Sequence, residues 1–214
     1  KMLFQVLPLG VSVTEFTKLH EKITGKIPLS LIGEVWFLEN LVLTKNILFE
    51  FFKRALDIIL SVFAGVFLLI LLPPVALAIA ISTPKDIFHY YKIRARKGDG
   101  VIFFSQKRVG KNGRIFNFIK FRSQRLGAEK MSEAKEITDD PRQYAFGKFM
   151  RTMYIDELPQ VWNVLKGEMS FIGPRPERPE YVERLKKQIP FYEMRLLVEP
   201  GITGWAQVNM ENDA

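Results

Sequence analysis

Between Ile58 and Ile81 the chain carries no charged side chain, and Pro73 and Pro74 sit together inside that run. An apolar stretch of this length is enough to cross a bilayer. The prolines divide it. At 1.5 Å per residue, Ile58–Leu72 makes a helix of about 22 Å and Val75–Ile81 one of about 10 Å. Neither half alone crosses a hydrocarbon core of roughly 30 Å. Pro74 has no N–H for the carbonyl of Ile70, and it biases Pro73 away from helical angles. A membrane helix–break–helix is therefore expected over residues 50–84. Its flanks are basic on both sides: Lys53 and Arg54 before, then Lys85, Lys92, Arg94, Arg96 and Lys97 after. Positive residues normally mark only the cytoplasmic end of a single span, so basic ends on both sides suit a segment that enters and returns. A kinked span fits the same residues, because membrane helices tolerate proline. The residues alone leave both open.

The rest of the chain is charged and mixed. Lys and Arg number 31 against 23 Asp and Glu, a net charge of +8. That balance points to a polyanionic partner: nucleic acid, a phosphorylated substrate or an anionic membrane surface. The absence of cysteine excludes disulfides and thiolate metal sites. The two histidines, His20 and His89, are far apart, which argues against a His-rich metal centre or a Ser-His-Asp triad. Residues 1–15 have neither a basic start nor a sustained apolar core, so no secretory signal is expected there.

Three regions follow. Residues 1–45 read as the edge of a small α/β unit. A strand-like "MLFQVLPLGVSV" precedes a helix whose capping box is Ser12 with Glu15 and whose stop is Gly25. "EVWFLENLVL" (34–43) is an apolar link, and no chemistry is visible in this region. Residues 50–84 are the membrane segment. Residues 85–214 form a globular head, with strands at 101–106 and 114–121 around a "GKNG" turn. Helices are expected over 145–153, 156–167 and 179–189. In the first, Ala145, Phe146, Phe149, Met150 and Met153 share a face, which reads as core packing. Pro159 is tolerated only in the first turn of the second.

Three features carry chemistry. Asp156 and Glu157 stand at the start of the 156–167 helix. Paired acids there can simply complement the helix dipole. With Arg151, Lys166, Arg175 and Arg178 near in sequence, they also suit a site holding anions and a cation together. Mg²⁺ is held by one or two carboxylates plus substrate phosphates, and a carboxylate can itself attack phosphorus. In "SFIGPRPERPE", Pro174 and Pro176 rigidify Arg175, and a fixed guanidinium suits phosphate; a surface turn with a solvated arginine is the bland reading. In "KFRS", alternation puts Lys120 and Arg122 on one face, within reach of one phosphate. A basic edge strand that resists aggregation explains the same residues.

"KRALDIILS…PP…AIAI", "IFFSQKRVGKNGRIFNFIKFRS", "IDELPQVWNVLKGEMSFIGPRPERPE" and "EPGITGWAQV" resemble the monotopic phosphoglycosyl transferases, bacterial sugar transferases that act on polyprenyl phosphate. The likeness covers roughly 50–209. It implies a mainly helical α+β protein with a re-entrant membrane helix broken at Pro73 and Pro74. A cytosolic catalytic head with a small β-hairpin would lie on the cytoplasmic face of the bacterial inner membrane. It implies transfer of sugar-1-phosphate from a nucleotide diphosphate sugar to polyprenyl phosphate, undecaprenyl phosphate by expectation, with release of a nucleoside monophosphate. The product would begin a surface polysaccharide or glycan. Asp156 would attack the sugar-bearing phosphorus, and Glu157 would assist Mg²⁺, which the pair holds, or a proton transfer. Lys120, Arg122, Arg151, Arg175 and Arg178 would hold phosphates, with Pro174-Arg175-Pro176 as the nucleotide-side wall. Residues 1–45 resemble the tail of the N-terminal domain of the larger members, which also continue beyond the position of Ala214. Gln124 and Met210 depart from the family's usual Met and Gly. The other readings are a non-catalytic membrane scaffold that binds phosphorylated lipid, and nucleic-acid binding, for which no recognised module is present. Self-association is left open.

Overall fold

The computed structural model describes residues 16–26, 33, 36, 46–86, 90, 100–128 and 142–209. The chain divides into Lys1–Asn46 and Ile47–Ala214. In the first unit, helix α1 (Phe16–Thr24) ends where expected, at Gly25 with φ +65. The Gly25 N–H donates to the Glu21 carbonyl at 2.8 Å. The Ser12–Glu15 box, the strand before it and all of the 34–43 link except Trp36 lie outside the described residues. So do Lys92, Arg94, Arg96 and Lys97.

The second unit opens with α2 (Ile47–Ser82), a helix long and apolar enough to cross a membrane. It starts earlier than the uncharged run, so Lys53, Arg54 and Asp57 are helical. Its helical assignment passes through Pro73 and Pro74 without interruption, in place of the two separate helices expected. The φ of proline is itself compatible with a helix.

One face of α2 is fastened to the head. Near its start, buried Asp57 accepts from the Ser170 hydroxyl and the Phe171 N–H, each at 3.1 Å. Lys53 donates to the same hydroxyl at 2.5 Å. Arg54 donates to the carbonyls of Val164 and Leu165 at 2.7 and 2.8 Å. Near its end, Val75 and Ile79 join Phe121, Tyr144 and Met150 in a buried cluster. The opposite face exposes Phe63, Leu69, Ile70 and Ile81.

The head is built on a hairpin. Strands β1 (Phe103–Val109) and β2 (Ile115–Phe121) pair antiparallel, from Phe103 opposite Phe121 to Val109 opposite Ile115. β1 runs three residues further than the sequence suggests. Asn112 and Gly113 alone supply the left-handed turn, with φ of 53° and 75°, so pairing continues almost to the turn. Phe116 and Phe118 pack on Val164 and Met169. Helix α3 (Ala145–Thr152) follows. Its expected core stripe splits: Met150 is fully buried, whereas Phe149 is 52% and Met153 59% exposed.

A 3-10 segment, Ile155–Gln160, then leads into α4 (Val161–Lys166). The single helix expected over 156–167 is thus two pieces, because Pro159 has no N–H to give the Ile155 carbonyl. Gly167, at φ 80°, closes α4. Strand β3 (Ser170–Ile172) pairs in parallel with β4 (Gly201–Thr203). Helix α5 (Pro179–Gln188) lies between them, with its proline in the first turn as expected, and α6 (Trp205–Asn209) follows β4. The Pro174-Arg175-Pro176 loop is clamped by backbone: Gly173 N–H donates to Thr203 at 2.9 Å and Gly201 N–H to Pro174 at 3.0 Å. A Cβ on Gly201 would fall 2.1 Å from the Gly173 nitrogen.

Arg122 ties the head to the end of α2. It is 3% exposed, and its guanidinium is bonded to the segment that follows the helix. Its Nε donates to Val101 O at 2.7 Å, Nη1 to Asp86 at 2.8 Å and Nη2 to the Thr83 hydroxyl at 2.5 Å. Arg122→Met leaves Asp86 facing a lost partner. Breaking such a buried pair costs roughly 3 kcal/mol or more, a fall in Tm of about 6–12 °C for a chain of this size. A thermal melt in detergent checks this, and an unchanged Tm would contradict the clamp.

Candidate active site

Asp156 and Glu157 are placed by the 3-10 turn that follows left-handed Tyr154, whose φ is 54°. The turn lies against β2 and brings Asp156 beneath the end of that strand. Asp156 is 4% exposed. Among the described residues one hydrogen bond reaches its carboxylate, from the Ser123 hydroxyl to Oδ2 at 3.4 Å. Burial pushes its pKa up, opposed chiefly by the charge of Lys120, while Glu157 adds to the rise and Arg151 opposes it. Burial pushes the Lys120 pKa down, with Asp156 opposing and Arg151 adding to the fall. The Lys120 ammonium lies 5.5 Å from the centre of the Phe104 ring. A desolvated acid and a desolvated base thus face each other, each holding the other charged.

Glu157 pairs with Arg175 at 3.0 Å. The Arg175 carbonyl accepts from Arg195 at 2.7 Å, and Arg195 also donates to the Tyr192 hydroxyl at 2.7 Å. The proline loop is therefore braced at both its backbone and its guanidinium. Two shallow recesses lie on the head. One is lined by Phe104, Lys120, Arg122, Ser123, Gln124 and Arg125. The other is lined by Pro174, Arg175, Pro176, Gly110 and Arg195. Lys120 acts on Asp156 and Arg175 on Glu157, so each carboxylate is coupled to a cation that also lines a recess.

The fold thus gathers Asp156, Glu157, Lys120, Arg151, Pro174, Arg175 and Pro176 around one site. Arg122 lines the same recess as Lys120 and Ser123, with its guanidinium bonded to Val101, Asp86 and Thr83. Arg178 is turned onto the Tyr181 ring, 5.6 Å from its centre. Two residues of the site were missed in the sequence. Arg108 donates to the Pro176 carbonyl at 3.0 Å and stacks 5.4 Å over Phe118. Its Nε is buried with no hydrogen-bond partner among the described residues. A cation in the middle of an apolar hairpin was the available signal. Ser123, the last residue of "KFRS", is the other.

Residues 48–214 match the family model described as bacterial sugar transferase. The chain belongs to the bacterial sugar transferase family. It is 36% identical over 198 residues to the UDP-N-acetylgalactosamine-undecaprenyl-phosphate N-acetylgalactosaminephosphotransferase of Aeromonas hydrophila, covering 92% of this chain and 43% of that one. It is 41% identical over 161 residues to the undecaprenyl-phosphate glucose phosphotransferase of Komagataeibacter xylinus, covering 73% and 27%. It is also 41% identical over 147 residues to the putative undecaprenyl-phosphate N-acetylgalactosaminyl 1-phosphate transferase of Bacillus subtilis, covering 67% and 72%. The chain therefore spans less than half the length of the first two relatives.

Activity that requires ionised Asp156 should fall away on the acid side at a higher pH than an ordinary carboxylate would give. Lys120→Met removes the main opposing charge, so the fall should move to still higher pH, and raising the pH should recover part of the lost rate. A pH–rate profile with the same acid limb in both proteins would contradict the coupling.

Proposed function

We propose that this chain transfers sugar-1-phosphate from a nucleotide diphosphate sugar to polyprenyl phosphate and releases a nucleoside monophosphate. The observation that carries the reading is the buried Asp156 carboxylate beside Glu157, with Lys120 and Arg151 acting on the first and Arg175 paired to the second. Phosphoryl transfer is served by such an arrangement, in which fixed cations meet phosphate charge beside a carboxylate. The named substrates of the relatives, undecaprenyl phosphate with UDP-N-acetylgalactosamine in one case, support the same substrate classes.

In the first half-reaction a carboxylate oxygen of Asp156 attacks the sugar-bearing phosphorus. The bond from that phosphorus to the bridging oxygen breaks, and the nucleoside monophosphate leaves with the electron pair. In the second, an oxygen of polyprenyl phosphate attacks the same phosphorus. The aspartyl oxygen–phosphorus bond breaks, restoring the carboxylate and giving a polyprenyl diphosphate sugar. Lys120 and Arg151 hold negative charge at Asp156, and Arg175 holds it at Glu157. Positioned cations of this kind supply most of the stabilisation in phosphoryl transfer.

No group of three His, Cys, Asp or Glu side chains gathers among the described residues. A metal at this site therefore takes only the two adjacent carboxylates from the protein. That donor set fits Mg²⁺ with substrate phosphates completing its shell. Asp156 and Glu157 would hold the ion, and it would neutralise charge on the diphosphate.

Membrane insertion from one side, with the head on the cytoplasmic face, is part of the proposal. Its support is where α2 is fastened. Arg54 is tied to Val164 and Leu165, while the cluster that holds Val75 and Ile79 takes in Leu158, only six residues earlier in the head. A straight helix would hold Arg54 and Ile79 about 38 Å apart. A bend at Pro73–Pro74 would bring both to one small body. The product would begin a surface polysaccharide or glycan.

Two experiments test this reading. UDP-N-acetylgalactosamine, UDP-glucose and UDP-galactose are each incubated with undecaprenyl phosphate, and UMP release is followed. At least one should turn over, and Asp156→Asn should lower kcat by 10³-fold or more. No release from any sugar nucleotide, or full release by the Asn variant, would overturn it. Glu50→Cys and Lys85→Cys in sealed cells should both resist a membrane-impermeant thiol reagent. Labelling of one and not the other would mean a helix that spans.

A further inference from the structure

Among the described residues the carboxylate of Asp156 has a single hydrogen bond, although it is almost wholly buried. The donor is Ser123, itself 2% exposed. The bond goes to Oδ2, and no hydrogen bond or ion pair engages Oδ1 among the described residues. Lys120 acts on this carboxylate through space and makes no direct ion pair with it. The Ser123 hydroxyl is thus the one directional contact that sets the rotation of the carboxylate about its Cβ–Cγ bond.

Ser123 is itself held from three sides. The preceding residue is fixed through the Arg122 clamp and through its N–H, which donates to Ile102 O at 2.8 Å. The Tyr144 hydroxyl donates to the Arg122 carbonyl, and burial pushes the Tyr144 pKa up to about 12, so it remains a donor. Gly147 of α3 closes the third side. A Cβ there would sit 2.1 Å from the Ser123 carbonyl oxygen and 2.8 Å from its carbon, so only glycine lets the helix approach so closely. Fixing a backbone this firmly to place one small hydroxyl against one carboxylate oxygen exceeds what packing requires, since alanine fills the same space.

We propose that Ser123 is a positioning residue for Asp156: its hydroxyl anchors Oδ2 and thereby presents Oδ1 to the phosphorus that is attacked. The inference rests on the reading of Asp156 as the nucleophile. The contact is long at 3.4 Å, and such bonds commonly tighten when substrate arrives. Rotating an unanchored carboxylate out of line removes a near-attack arrangement without removing any phosphate-binding cation. The loss should therefore fall on kcat and not on KM.

The test compares Ser123→Ala and Ser123→Thr with the parent chain, using whichever of the three UDP-sugars turns over with undecaprenyl phosphate. A hydrogen bond to a charged group is worth a rate factor of roughly 10–100. Ser123→Ala should lower kcat by that factor, leave KM for the UDP-sugar within about two-fold and keep the parent's melting temperature within a few degrees. Ser123→Thr, which restores the hydroxyl, should recover most of kcat. Parent kcat in the Ala variant, a loss confined to KM, or a Thr variant no better than Ala overturns the role. Asp156→Asn in parallel separates the two claims. If it is inactive while Ser123→Ala is unimpaired, only the role of Ser123 fails. If it turns over normally, the assignment of Asp156 fails and the role of Ser123 fails with it.

Discussion

The guanidinium of Arg122 is buried where the membrane helix hands the chain to the head, and three groups from two segments close around it. Thr83 and Asp86 come from just beyond the end of α2, and Val101 leads into the hairpin. A buried cation left unpaired is costly, so these segments are compelled to meet at one point. The residues on either side of Arg122 inherit that placement. Lys120 precedes it by two positions and Ser123 follows it directly, and both act on Asp156. The junction between α2 and the head and the surroundings of the carboxylate are thereby tied to one interaction.

The second constraint is electrostatic. Burying Asp156 opposes its ionisation, and burying Lys120 opposes its protonation. Each is kept charged by the other, while Arg151 supports the acid and strains the lysine. Such a pair is poorly solvated, and the proposed diphosphate substrate and divalent cation would supply counter-charge to each member. On the other flank Glu157 is already neutralised by Arg175, whose loop is locked to β4 by close glycine contacts. One carboxylate thus has little direct pairing, while its neighbour is braced against the proline loop.

Much of this was legible in the sequence because it is local. The apolar helix, the turn at Asn112–Gly113, the acid pair before Pro159 and the proline-locked Arg175 each announce themselves within a few residues. What was not legible depends on partners distant in sequence. Alternation correctly put Lys120 and Arg122 on one face, but it does not show that Asp86 and Thr83 consume the arginine. Helical spacing gathered Phe149 and Met153 with Met150, but it does not show that α2 covers only the Met150 side. The prolines read locally as a break, whereas the backbone stays helical through them. Ser123 and Arg108 were hidden for the same reason: a lone hydroxyl or an arginine in a strand signals nothing until a carboxylate or a loop carbonyl is brought to it.

The central claim is that Asp156 itself takes up the sugar phosphate. Intact-protein mass spectrometry after incubation with a UDP-sugar, in the absence of undecaprenyl phosphate, tests it most directly. The account predicts a mass increase equal to one sugar phosphate, mapped to Asp156 by peptide fragmentation and lost when undecaprenyl phosphate is added. An unmodified protein, together with kinetics that require both substrates to be bound before UMP is released, would contradict it.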